Sequence, residues 1–208
     1  PIIQQISQSN MAAVVGVKEA KNLLRKELKR RLAAMSVELK NTESARVAKK
    51  LFAMKEFQES NRISLYMSMP NEVDTSGIMG KIFELNKQCF IPHYIGPVMK
   101  MVELNSMADY DSLPVTSWNI KQPADEDVRA DALETGGLDL IVVPGLGFTK
   151  DGSRLGRGKG YYDSYISKSK TLGLKAPVTV ALAFSVQICE SVPTSEHDMV
   201  IDHVLYAD

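Results

Sequence analysis

Apolar residues along the chain change period several times, and each change marks an element. Leu24, Leu28, Leu32 and Met35 recur at helical spacing, which predicts a helix over 17–36. A second helix is expected over 42–58, with Thr42 as its N-cap and Ala48, Leu51 and Phe52 on its core face. The period then falls to two. Ile63, Leu65, Met67 and Met69 alternate with Ser64, Tyr66 and Ser68, a strand that Pro70-Asn71 ends, with Glu72 just beyond. A helix over 75–86 follows, placing Ile78, Met79, Ile82 and Phe83 inward. Short strands are expected over 89–94 and 98–104, joined by a turn at Gly96-Pro97. Residues 138–143 form an unbroken apolar run, suited to the middle of a parallel sheet. A helix over 161–170 and strands over 177–184 and 203–206 complete the series. Strands and helices alternate, so the fold class is α/β with a mostly parallel sheet. One domain is expected over 11–208, preceded by a polar, patternless leader at 1–10.

The least regular stretch is 105–137. Pro114, Pro123 and the acids Asp125, Glu126 and Asp127 predict an extended excursion with one helical turn. Inside it lies Trp118, the only tryptophan, either a buried structural residue or an aromatic wall for a flat ligand.

Charge is balanced, with 25 basic and 25 acidic residues, so nothing predicts bulk attraction to nucleic acid or to an anionic membrane. No apolar run nears the roughly 18 residues of a membrane span, and no secretory signal opens the chain. Cys89 and Cys189 read as reduced core thiols of a cytosolic protein, with one disulfide as the alternative. His93, His197 and His203 lack metal-ligand spacing and read as satisfied or surface side chains.

Against this neutral background one segment concentrates cations. Arg154, Leu155, Gly156, Arg157, Gly158, Lys159, Gly160, Tyr161, Tyr162 and Asp163 follow in order, downstream of the 138–143 strand and leading into a helix. A glycine-rich loop between strand and helix brings backbone N–H groups close to a phosphate. The segment is not a Walker loop, which would need glycine at Ser153 and Ser or Thr at Gly160. It also lacks the third glycine of a dinucleotide turn, where Tyr161 stands. A polyphosphate cradle is favoured over a plain turn. Arg154, Arg157 and Lys159 are the candidates to neutralise charge on a transferred phosphoryl group. Asp163 is a candidate Mg²⁺ ligand, with Asp198 as a possible second carboxylate. Lys21 and Arg25, four residues apart, read on their own as solvated cations beside an amphipathic stripe.

Lys21-x-x-x-Arg25, Pro144-Gly-Leu-Gly-Phe148 and the run from Gly152 to Asp163 together resemble the 5-formyltetrahydrofolate cyclo-ligase (methenyltetrahydrofolate synthetase) family, most closely its animal members. The likeness covers about 20–206 and includes Thr116-Ser-Trp-Asn119 and Gly136-Gly-Leu-Asp139. It implies a three-layer α/β sandwich like those of the sugar-phosphate isomerase and CoA-transferase group. It implies ATP-dependent conversion of 5-formyltetrahydrofolate to 5,10-methenyltetrahydrofolate, with release of ADP and phosphate and with Mg²⁺ as cofactor. By the same resemblance Lys21, Arg25 and the loop from Arg154 to Tyr162 would bind ATP, and Asp163 and Asp198 would hold the metal. Met67, Glu72, Trp118 and the loop from Arg157 to Tyr161 would contact the folate. The expected partners are ATP and a folate with or without a polyglutamate tail, handled by a cytoplasmic monomer that engages neither nucleic acid nor membrane. Two other readings stand beside this one: a non-catalytic nucleotide or folate binder on the same scaffold, and a sugar-phosphate isomerase of related fold.

Overall fold

A computed structural model describes residues 2–116 and 120–208, with side chains from Gly16 onward. Trp118 lies outside the described residues, and residues 1–10 contribute no described side chain. In chain order come helices α1 (Ile2–Ala33), α2 (Val37–Ala53) and α3 (Lys55–Glu59), strand β1 (Arg62–Ser64) and helix α4 (Ser76–Glu84). Next are β2 (Gln88–Ile95), β3 (Val98–Leu104), the short α5 (Met107–Ser112), β4 (Leu140–Val143), β5 (Gly147–Phe148) and β6 (Arg154–Leu155). Helix α6 (Tyr161–Thr171), β7 (Val178–Ala183), a 3-10 turn at Ser185–Gln187 and β8 (His203–Tyr206) follow.

Six strands form one sheet in the order β3-β2-β1-β4-β7-β8, and β5 and β6 make a separate hairpin. Every pairing in the large sheet is parallel except β2 with β3, which turn back through Gly96-Pro97. The central position expected for the 138–143 run is borne out by β4, between β1 and β7. Its alternate residues face opposite cores. Leu140 and Val142 join α1, α2 and α4 through Leu28, Leu32, Leu51, Ile78 and Ile82. Ile141 and Val143 join α6 through Tyr162, Tyr165 and Ile166. Helix, sheet, helix is a three-layer sandwich. All four β4 side chains are fully buried, each worth about 1.5–3 kcal/mol of apolar transfer.

Several boundaries move for local reasons. Helix α1 begins at Ile2, upstream of the expected start. The second helix starts at Val37, because Ser36 is its cap and accepts from the Leu39 N–H. Thr42 sits mid-helix, donating its hydroxyl to the Glu38 carbonyl. Met54 closes α2 in an extended conformation, so the remainder of the expected helix is the separate α3. The 63–69 alternation yields a ladder only over Arg62–Ser64; Ile63 to Met67 are nevertheless buried on both faces. The expected single turn within 105–137 is α5.

Candidate active site

The glycine loop leaves the sheet by an unexpected route. Between β4 and the loop stands the β5–β6 hairpin, which carries Arg154 and Leu155 into the interior. Arg154 is almost wholly buried and donates to the Pro144 carbonyl at 3.2 Å and to Asp163 Oδ2 at 2.6 Å. At Gly156 a Cβ would lie 3.0 Å from Arg154 Nη1 and press on the buried guanidinium. At Gly158 the reason for glycine is conformational, with φ at +106°. Gly158, Lys159 and Gly160 donate no backbone hydrogen bond among the described residues, so their N–H groups are available to a ligand. Asp163 occupies the first turn of α6, where the helix dipole favours a carboxylate.

Two hollows meet at this loop. The smaller, about 340 Å³, is mostly apolar and lies beyond the ends of β1, β2 and β4. Met67, Met69, Tyr66, Tyr94, Ile120 and Tyr161 line it, with Glu72 and Arg157 at one side and Lys159 and Asp163 at another. The larger, about 1120 Å³, is a cleft along α1, where Lys18, Lys21, Arg25, Lys26 and Lys29 face Thr194 to His197. Arg157 lines both.

Three ion pairs hold the residues that divide them. Glu72 closes a β-turn on Met69, accepting the Met69 N–H on Oε2 at 2.9 Å. Its Oε1 receives Arg157 Nε and Nη2 at 3.1 and 2.8 Å. Asp163 receives Arg154 on one oxygen and the Met199 N–H on the other, at 3.1 Å. Asp198 receives Lys21 Nζ at 2.5 Å and both the N–H and hydroxyl of Ser195. Burial opposes ionisation of Asp198, but the Lys21 ammonium and the two Ser195 donors outweigh it and hold the carboxyl below its ordinary range. The reading of Lys21 and Arg25 as solvated cations is therefore corrected. Lys21 keeps 13% of its side-chain surface, and Arg25 Nε donates to the Gly156 carbonyl at 3.0 Å.

Three phenols of the smaller hollow, Tyr66, Tyr94 and Tyr162, are pushed toward the neutral form. Burial raises Tyr94 to about 12, and burial with the nearby Glu72 charge drives Tyr66 and Tyr162 well above the usual value. They present donors and apolar faces. Tyr94 and Tyr161 pack with ring centroids 4.9 Å apart, and Tyr161 donates to the Gly96 carbonyl. His93 departs from its reading as a satisfied or surface side chain. It lies within β2, is buried, and its Nε2 makes no hydrogen bond among the described residues, with Asp125 at 3.6 Å. Cys89 and Cys189 are free thiols, and burial pushes Cys89 up to about 12.

The donor set can be tested against Mg²⁺, which favours one or two carboxylates together with phosphate oxygens and water. Asp163 and Asp198 are brought together because the residue after Asp198 donates its N–H to Asp163. Among the described residues no group of three or more His, Cys, Asp or Glu converges. Asp163 lines the smaller hollow and Asp198 is paired with Lys21 of the larger, so two carboxylates at the boundary, completed by phosphate oxygens and water, would suit this ion. Tyr66, Tyr94, Ile120, Gln122, Lys18 and Lys26 escaped the sequence reading. The lysines had a usable signal, since they lie on the helix that carries Lys21 and Arg25, with Lys18 three residues before Lys21.

A three-layer α/β sandwich whose glycine loop stands between an apolar pocket and a basic cleft defines the class: an α/β protein with paired hollows at the carboxyl ends of its parallel strands. The chain belongs to the 5-formyltetrahydrofolate cyclo-ligase family, whose model matches residues 17–207. The mouse 5-formyltetrahydrofolate cyclo-ligase is 51% identical over 94% of this chain and 98% of that protein. A probable 5-formyltetrahydrofolate cyclo-ligase of Caenorhabditis elegans is 38% identical over 91% of this chain and 94% of that protein. Among solved structures, the 5,10-methenyltetrahydrofolate synthetase of Aquifex aeolicus superposes with a TM-score of 0.72 at 28% identity, covering 89% of each chain.

Proposed function

We propose that the protein catalyses the ATP-dependent closure of 5-formyltetrahydrofolate to 5,10-methenyltetrahydrofolate, with the folate in the apolar pocket and the nucleotide phosphates in the basic cleft. The observation that carries this is the position of Arg157, common to both hollows and set by Glu72. A formyl amide is a weak electrophile because its nitrogen lone pair is delocalised into the carbonyl. Transfer of the γ-phosphoryl group to the formyl oxygen breaks the bond to the β-γ bridging oxygen and releases ADP. The carbon is then iminium-like, and the N10 lone pair attacks it. The N10 proton is lost, the carbon–oxygen bond breaks, and phosphate departs.

Such a path needs alignment and charge neutralisation more than a nucleophilic side chain. Lys159 has no ion-pair partner among the described residues and borders the pocket, where it can meet the transferred group. Arg157 holds the boundary, Lys21 and Arg25 take phosphate oxygens, and Arg154 orients Asp163. Mg²⁺ held by Asp163 and Asp198 would supply further charge neutralisation at the phosphates. A protein that only binds its ligands need not keep every one of these charged groups. Among the described residues no helix is long and apolar enough to cross a membrane.

Incubation with ATP, Mg²⁺ and 5-formyltetrahydrofolate is expected to generate the near-ultraviolet absorbance of the methenyl product together with ADP. Folded protein that forms neither product at high concentration would refute the reading.

A further inference from the structure

Strand β2 outruns its parallel neighbour. Strand β1 pairs only with Gln88, Cys89 and Phe90, and the Leu65 N–H adds one bond to the Phe90 carbonyl. In an antiparallel pair, alternate residues turn their N–H and C=O away from the partner strand. Phe90 does so toward β1, so Pro92 and Tyr94, two and four residues on, share that direction. Pro92 has no N–H to satisfy. Tyr94 has both groups, and on that side no strand among the described residues pairs with it. Gln122 takes the place of that strand: its Oε1 accepts the Tyr94 N–H at 3.2 Å, and its Nε2 donates to the Tyr94 carbonyl at 3.2 Å. A side-chain amide can mimic a peptide group in this way; a carboxylate lacks the donor and an alkyl chain lacks both.

The two anchored residues belong to the apolar pocket. Tyr94 and Gln122 both line it, as does Ile120. The chain on either side is tied down separately. The Gln122 N–H donates to the Pro114 carbonyl, the Thr116 N–H to the Ile120 carbonyl, and Lys121 to the Tyr110 and Asp111 carbonyls. Those bonds shape this part of the excursion; its later residues are tied to β3 through the Glu103 N–H to the Ala130 carbonyl and the Ala132 N–H to the Met101 carbonyl, while the Gln122 amide attaches it to β2. We propose that Gln122 is a positioning residue for the folate. Its amide joins the 105–137 excursion to the open edge of β2, setting the wall of Tyr94 and Ile120 against which the substrate is held.

This inference rests on assigning the apolar pocket to the folate, and the test separates the two. Hydrogen exchange is followed at the Tyr94 amide in the wild type and in Gln122→Met and Gln122→Glu, with and without 5-formyltetrahydrofolate, alongside steady-state kinetics. Methionine keeps the volume and removes both bonds; glutamate keeps the acceptor alone. Both variants are expected to exchange faster at Tyr94 without ligand. Their KM for the folate should rise about tenfold, from the loss of one or two hydrogen bonds, with a smaller fall in kcat and an unchanged KM for ATP. Wild-type exchange rates and folate KM in both variants would overturn the positioning role. So would a parallel rise in the KM for ATP, which would indicate general disruption. If the substrate fails to slow exchange at Tyr94 in the wild type, the folate assignment falls instead, and the positioning role with it.

Discussion

The two hollows that meet at Arg157 are built in opposite ways. One face of α1 lines much of the basic cleft, so its charge comes from a single stretch of chain with helical spacing. The apolar pocket draws on the ends of β1 and β2, the 105–137 excursion and the glycine loop, segments far apart in sequence. The cleft is wide and solvated, where individual charges are screened and partly redundant. The pocket is small and largely apolar, where each polar group has a stronger effect. Mutations on the two sides should therefore differ in size as well as in the substrate affected.

The largest effect is expected at the junction. Lys159→Ala should lower kcat by about 10²–10³-fold, the scale for losing one preorganised charge-stabilising group. Its Tm should stay at the wild-type value because Lys159 is exposed. Near-wild-type turnover would remove Lys159 from the chemistry.

Asp163→Asn comes next. The Mg²⁺ concentration for half-maximal activity should rise by about tenfold or more, as one of two proposed carboxylates loses its charge. The buried Arg154 also loses its counter-charge, so urea titration should show a stability loss of about 1–3 kcal/mol. An unchanged Mg²⁺ titration would dissociate Asp163 from the metal.

On the cleft side, Lys21→Ala should raise the KM for ATP about tenfold, as for one charge-assisted hydrogen bond, and leave the folate KM alone. A pH signature accompanies it. The depressed Asp198 carboxyl contributes stability that is present above the ordinary carboxylate pKa and lost as pH falls through its lower folded value. Lys21→Ala removes a cause of that depression. The wild-type advantage in urea should thus be evident at pH 7 and shrink as the solution is acidified below about 4. An advantage independent of pH would contradict the ion pair.

The smallest effect is predicted for Lys26→Ala, on an exposed part of the same helix face. The KM for ATP should change by less than about twofold at physiological salt, the measured scale for exposed charges. A larger change would mean that the cleft is less screened than its exposure implies.

Much of this arrangement was readable in advance. The apolar 138–143 run announced a strand buried on both faces, and the run from Arg154 to Asp163 announced a glycine loop leading into a helix. Element ends were read less well. Ser36 outcompeted Thr42 as a cap because its φ and ψ are extended and its hydroxyl reaches the Leu39 N–H, a preference that residue type alone does not settle. The alternating strand expected over 63–69 became a short ladder whose residues from Ile63 to Met67 are all buried, because Ile63, Leu65, Tyr66 and Met67 pack into one core with the helices and Ser64 lies against Met101 of β3.

Local sequence determined which residues carry charge, where the chain needs glycine and which runs are apolar enough for the sheet, since these depend on side-chain chemistry and short-range sterics. Tertiary structure alone decided the pairings across the site: Lys21 with Asp198, Arg157 with Glu72, and Gln122 with the backbone of Tyr94. Each joins residues 28 to 177 positions apart. No local periodicity encodes such a contact; it arises only when the strands, helices and excursion pack together and leave specific polar groups facing one another.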